Sequence, residues 1–228
     1  MRGDLLSAEE IFGIMWSYGA ISLEDSYKTR YNSLHNDAPP SPYRLEIRPE
    51  PDGPLDPDFV YEIGRFQADQ LVKNQERPQF QGIFGVPNAG NLLMKGFFDQ
   101  WLQNLYPIAL EKTEDETGRR FGLAVPEYEH PPWVHAIWGV DDLVTSAITK
   151  LAVADVFKKP VVGFSVLLDR SGGNAGPILA QHGIMLHACA DTLAMLDYLV
   201  GADLVSGSLA DEIVEKDTTF CRYMADHP

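Results

Sequence analysis

Apolar residues along the chain follow helical spacing in some stretches and form short strand-like runs in others. Residues 7–18 open with Ser7, followed three places on by Glu10, and then carry apolar side chains at helical spacing, which predicts a short first helix with a capping box. From Ser33 to Pro57 prolines and glycines are frequent and only Tyr43–Arg48 alternates as a strand does, so this stretch reads as an irregular excursion. Asp58–Asn74 places Phe59, Ile63, Phe66 and Leu71 on one broad face and predicts a helix started near Asp56 or Pro57. Short apolar runs and helical patterns follow: Gly82–Val86, Leu92–Leu105, Val134–Val140, Thr149–Phe157, Val161–Leu168, Gly176–His182, Ile184–Ala188 and Thr192–Val200. That pattern predicts an α/β fold, a mainly parallel sheet flanked by helices. Residues 1–57 form its irregular N-terminal elaboration, 58–205 its core and 206–228 a C-terminal tail.

Open sheets of this kind bind ligands beyond the carboxyl ends of their strands. The most polar strand exits are Asp141-Asp142 and Asp169-Arg170, which the topology brings to one crevice. After the acidic pair comes the hydroxyl-bearing run Thr145-Ser146-Ala147-Ile148-Thr149, with a helix expected to start near Thr149. A helix start directs unpaired N–H groups at the same edge, so a polyol and a phosphate fit there side by side. Gly85-Val86-Pro87-Asn88-Ala89-Gly90-Asn91 links a strand to a helix, and its glycines let backbone N–H groups approach an oxyanion. Plainer readings stand beside these. Asp141 as a cap with Asp142 solvated, the glycine segment as a simple turn, and Arg170 in an ion pair with Asp169 or a nearby carboxylate all satisfy the same residues. Glu111–Gly122 is charged and reads as a mobile loop or hairpin tip.

With 228 residues, 45% of them hydrophobic, the chain has material for a substantial core. Its net charge of −15 argues against general binding to nucleic acid or acidic membranes, so an anionic ligand needs a local positive pocket or a metal. No apolar run approaches the roughly 20 residues of a bilayer span, and the start lacks a signal-peptide pattern, which makes the cytoplasm the expected compartment. Cys189 and Cys221 read as packing residues. His135 is expected within a strand, and His130, His182 and His187 at the surface or partly buried; their spacing matches no metal site. Trp133 and Trp138 read as packing residues, and the stripe Phe97, Phe98, Trp101 and Leu105 as a helix's buried face or a dimer face.

The strand, acidic pair and hydroxyl loop resemble the phosphoribosyl pyrophosphate (PRPP) motif of type I phosphoribosyltransferases. Val161–Leu168 running into Asp169-Arg170-Ser171-Gly172-Gly173 is similar to the orotate enzymes of that family, as are Gly183–His187, Leu193–Leu199, Gly64–Val72 and Ser41-Pro42-Tyr43. The likeness runs from about Gly19 to Leu199. It implies a phosphoribosyltransferase-type fold with a hood-like N-terminal part, and transfer of the phosphoribosyl group from Mg-PRPP to a nitrogenous base such as orotate, in a homodimer. By the same resemblance, Asp141 and Asp142 hold the ribose hydroxyls and, indirectly, Mg²⁺. Thr145, Ser146, Ala147, Ile148 and Thr149 hold the 5′-phosphate, while Gly85, Asn88, Ala89 and Gly90 face pyrophosphate. Lys112 serves as the loop cation and Arg170 contacts the base.

The chain departs from that family where cations are expected. Glu24 stands in place of an N-terminal lysine, Ala89 in place of the lysine before Gly90, and Glu111 and Asp115 in place of an arginine and a lysine in the loop ending at Gly118. Ala147 replaces a glycine, which matters if its φ is positive. Removing one transition-state donor typically costs about 10²–10³ in rate. Lys112, Arg119 or Arg120 are the replacements the sequence offers, and a catalytically impaired descendant binding PRPP, a nucleotide or a protein partner is the second reading. A hydrolase using Asp141 as nucleophile is disfavoured, because no matching base and metal set is visible.

Overall fold

The structure, a computed structural model, describes residues 5–23, 37–74, 78–87, 89–101, 104–115, 118–124 and 129–226, with residues 74, 113–115 and 118–120 described by their backbone alone. Glu24 and Asn88 lie outside the described residues, as do the side chains of Asp115, Arg119 and Arg120.

The centre is a five-stranded parallel sheet in the order β4-β3-β7-β8-β9, made of β3 (Gly82–Gly85), β4 (Tyr106–Ile108), β7 (Ile137–Val144), β8 (Val161–Asp169) and β9 (Met185–Asp191). Such strands are covered on both faces and therefore read as nearly continuous apolar runs. One face packs with α1 (Ala8–Ser17), α2 (Pro57–Asn74), α3 (Gly90–Trp101) and α6 (Thr192–Gly201) around Trp138, Val140 and Leu167. The other packs with α4 (Ala147–Ala154) and α5 (Ala175–Gln181) around Ile137, Phe164 and Val166. The period of two along β7 and β8 thus divides their side chains between two cores.

The capping box forms as expected: Glu10 N–H donates to Ser7 Oγ at 3.2 Å and Ser7 N–H to Glu10 Oε2 at 2.7 Å. Within Tyr43–Arg48 only β2 (Arg44–Leu45) is ladder-paired, antiparallel to β1 (Ile21–Ser22). The N-terminal excursion is nonetheless anchored, because Tyr43, Ile47 and Leu55 are fully buried in the core that holds α2. Charged Glu111–Gly122 is a hairpin of β5 (Leu110–Asp115) and β6 (Gly118–Leu123) that sets Lys112 opposite Phe121.

Several elements differ from the sequence expectation. β7 begins at Ile137, so His135 precedes the strand: Gln81 Oε1 accepts from the amides of His135 and Ala136, both at 3.1 Å, and takes them out of the ladder. At its other end β7 runs past both acids to Val144, because β8 is long enough to pair with Leu143 and Val144 through Leu168 and Asp169. Asp141 and Asp142 therefore lie inside the strand. The expected helix to Leu105 is described over Gly90–Trp101, residues 104 and 105 are not helical, and edge strand β4 follows, as suits a strand containing Pro107. His130 and His187 are buried. The segment 206–228, read as a tail, contains α7 (Gly207–Asp226), whose inner face carries Ala210, Ile213, Phe220, Cys221 and Met224 around a buried Asp217.

Helices α2 and α3 touch through their backbones. A Cβ on Gly64 would lie 2.0 Å from the Leu93 carbonyl oxygen, and one on Gly96 1.9 Å from that of Tyr61. Neither position has room for a methyl group. Gly96→Ala is expected to lower unfolding free energy by about 1–3 kcal/mol through forced separation of the helices, measured by urea denaturation.

Candidate functional site

A cavity of about 310 Å³ opens at the carboxyl edge between β3 and β7. Of the residues singled out in the sequence, it brings together Asp141, Asp142, Thr145, Ser146, Thr149, Ala89 and Lys112. It also draws in Lys150, Arg44, Arg48 and Glu46, which the sequence reading did not select. Gly85, Gly90, Ala147 and Ile148 do not line it.

The acidic pair is built by local hydrogen bonding. Asp142 N–H donates to Asp141 Oδ1 at 2.9 Å, and Leu143 N–H donates to Asp142 Oδ1 at 2.7 Å. Lys150, only 2% exposed, donates from Nζ to the other Asp141 oxygen and to the Leu143 carbonyl at 2.9 Å. From α2, the buried Gln67 amide donates to the Asp141 carbonyl at 2.9 Å. Asp141 is thus a fixed, neutralised carboxylate, and the ammonium already occupies the position of a cation beside it. Asp142 differs: burial, then the neighbouring Asp141 charge, pushes its carboxyl up to about 8, against the pull of Lys150. The shift favours its protonated form, which can donate as well as accept a hydrogen bond.

Lys150 had a signal in the sequence. Ala147, Lys150 and Val153 form the buried stripe of α4, and a lysine on such a stripe requires a buried acid. Helix α4 starts at Ala147, two residues before the expected point, because Ser146 is its extended N-cap. The Ser146 side chain makes no capping hydrogen bond, and Thr145, Ser146 and Thr149 line the cavity end beside the start of α4. Among the described residues Asp203 is the one non-glycine with positive φ, so Ala147 in place of glycine carries no backbone strain.

The glycines of the β3–α3 turn have a packing reason. A Cβ on Gly85 would meet the Gly90 carbonyl oxygen at 2.1 Å, and one on Gly90 would meet that of Val140 at 2.5 Å. The Gly90 amide donates to Val86 O at 3.0 Å, so it already has an internal acceptor. Val86, Pro87 and Ala89 form the cavity wall on this side.

Arg170 lies elsewhere. It is buried, donates to Ser41 Oγ, sits 3.6 Å from Asp217 Oδ1, and stacks 4.0 Å over the Tyr43 ring and 5.5 Å from that of Phe220. Thr192 Oγ1 donates to Asp217 Oδ2 at 2.9 Å, which leaves the Tyr43 hydroxyl as donor in its 2.8 Å contact with Thr192. Burial raises the pKa of both Tyr43 and Asp217. The carboxylate partner of Arg170 is therefore Asp217 of α7, while Asp169 Oδ1 accepts from the Ser171 amide and hydroxyl. Both cysteines are free thiols whose pKa is raised by burial, which fits packing roles.

No group of three or more His, Cys, Asp or Glu among the described residues forms a metal cage. The cavity's donor set fits a cation only in the manner of magnesium shared with ligand phosphates and water, with Asp142 the available carboxylate. No helix among the described residues is long and apolar enough to cross a membrane.

Two measurements check this electrostatic account. Lys150→Met is expected to cost about 3–5 kcal/mol by leaving Asp141 buried and unpaired, with partial recovery in Asp141→Asn/Lys150→Met, both read from urea melts. Asp142 binds its proton more tightly folded than unfolded, so it subtracts stability as pH rises from about 4 to about 8. The melting temperature of Asp142→Asn relative to the unmodified protein is expected to increase across that window and level off above it.

No protein-family model and no curated protein sequence matches the chain. Solved structures do. UMP synthase of Leishmania donovani superposes with a TM-score of 0.68 at 15% identity, covering 92% of this chain and 42% of that one. The orotate phosphoribosyltransferase from Aeropyrum pernix gives 0.57 at 19% identity over 83% of this chain and 97% of its own. That of Francisella tularensis gives 0.58 at 12% over 89% and 95%. The chain thus spans well under half of the UMP synthase but nearly the full length of these two single enzymes. With its five-stranded parallel sheet and flanking helices, the chain has the phosphoribosyltransferase fold.

Proposed function

We propose that this protein transfers a phosphoribosyl group from Mg-PRPP to a nitrogenous base, orotate being the first candidate, with release of pyrophosphate. The observation that carries the reading is the cavity itself. Four cations, Arg44, Arg48, Lys112 and Lys150, line it against three acids, Glu46, Asp141 and Asp142, in a chain of net charge −15. That excess of cations, to which the raised pKa of Asp142 adds, favours a polyanion.

In this proposal the Thr145, Ser146 and Thr149 hydroxyls and the first amides of α4 hold the 5′-phosphate. Asp142 meets the ribose hydroxyls, as donor or acceptor, and Asp141 fixes its orientation. Magnesium would supply positive charge for the pyrophosphate oxygens, held through Asp142 and water. Lys112 approaches from the β5–β6 hairpin. Bond cleavage at the anomeric carbon places charge on the leaving oxygens, so these residues act by positioning and charge stabilisation. Homodimeric assembly and a cytoplasmic location belong to the same proposal, and the resemblance to orotate enzymes supports the first.

One observation favours a second reading, a PRPP- or nucleotide-binding protein without turnover. Arg170, the base contact implied by the resemblance, is held by Asp217, Ser41 and Tyr43 away from the cavity. A base contact by Arg170 requires it to leave that setting.

The test is pyrophosphate release from Mg-PRPP with a panel of bases that includes orotate. Saturable release is expected, reduced about 10²–10³-fold in Asp142→Asn. PRPP binding by calorimetry without release from any base establishes the second reading instead.

A further inference from the structure

Tyr43 is fully buried in the core, whereas the residues from Arg44 to Arg48 line the cavity together with Asp141, Asp142, Thr145, Ser146 and Thr149. Both guanidiniums close on one carboxylate: Arg44 binds Glu46 Oε2 and Arg48 binds Glu46 Oε1. The Glu46 side chain is 11% exposed, while the arginines remain 41% and 45% exposed. Their backbone is anchored. Arg44 pairs with Ser22, Glu46 N–H donates to Ala20 O at 2.8 Å, and Arg48 O accepts from Leu55 N–H at 3.3 Å.

We propose that Arg44 and Arg48 form a clamp for pyrophosphate, or the pyrophosphate end of a larger ligand, with Glu46 holding the clamp shaped when the site is empty. The proposal rests on the PRPP reading of the cavity and names the cations that meet the leaving group. A carboxylate between two guanidiniums occupies the place of a bridging anion, with one oxygen toward each fork. Pyrophosphate offers oxygens at both ends and a higher charge than a carboxylate, so it displaces Glu46 while keeping the same two donors. This chain has Ala89 where a loop lysine is expected, and the clamp brings cations to the cavity from the N-terminal elaboration.

Calorimetric titration of the full chain with inorganic pyrophosphate, with and without magnesium, tests the clamp. Arg44→Gln/Arg48→Gln is expected to weaken pyrophosphate binding by about 10- to 100-fold. Arg44→Gln/Glu46→Gln/Arg48→Gln, which leaves no unpaired Glu46, should weaken it comparably. Glu46→Gln alone should tighten it by removing the internal competitor. Inorganic phosphate, small enough for the Thr145–Thr149 run alone, should keep its affinity in all three. Pyrophosphate affinity unchanged in the two arginine variants, an equal loss for phosphate, or no binding of pyrophosphate by the unmodified protein overturns the clamp. Turnover is read separately: absence of pyrophosphate release with every base defeats phosphoribosyl transfer, whereas the clamp is decided by binding alone.

Discussion

The carboxyl edge of the sheet depends on the ion pair between Lys150 and Asp141. Both groups are buried, and each would be an isolated charge without the other. Their contact joins the first turn of α4 to β7, while the second Lys150 hydrogen bond, to the Leu143 carbonyl, fixes the exit of the strand. With α4 held there, Thr145, Ser146 and Thr149 line one cavity with the second acid. Desolvating two charges is expensive, and the geometry offsets that cost because Asp141 also accepts from the Asp142 amide.

The two acids consequently do different work. Asp141 is neutralised internally by Lys150 and acts as a strut, whereas Asp142, whose pKa is raised by burial and by Asp141, lines the cavity without an ion-pair partner of its own among the described residues. The acidic surface charge of the chain does not reach this edge in simple form, because cations gather there from β2, β5 and α4. The cavity thus sets four cations against three acids in a chain whose net charge is −15.

Much of the fold was legible in the sequence because parallel strands buried on both faces leave apolar runs that few other elements imitate. Val161–Leu168 lies within β8, and the Ser7–Glu10 box marks the start of α1. What escaped had local causes. Pro107 disguised an edge strand, a forked contact from Gln81 delayed β7, and Asp217 interrupted the apolar face of α7. The cavity was found through Asp141, Asp142 and the hydroxyl run, which are consecutive. Arg44 and Arg48 were missed because their roles depend on neighbours that only folding supplies, whereas Lys150 had its mark in the sequence, a lysine on the apolar stripe of α4. Arg170 shows the converse: the sequence held both a ligand contact and an ion pair open, and burial against α7 selects the ion pair.

The setting of Arg170 has a consequence for how the molecule opens. Ser41 and Tyr43 come from the N-terminal elaboration, Arg170 from the end of β8, Thr192 from α6, and Asp217 and Cys221 from α7. Detaching any one of these segments exposes a polar partner of another inside an apolar shell of Tyr43 and Phe220. Fraying of α7 by itself is therefore disfavoured, and segments far apart in sequence are joined into one cooperative unit, whose amides should exchange with solvent together.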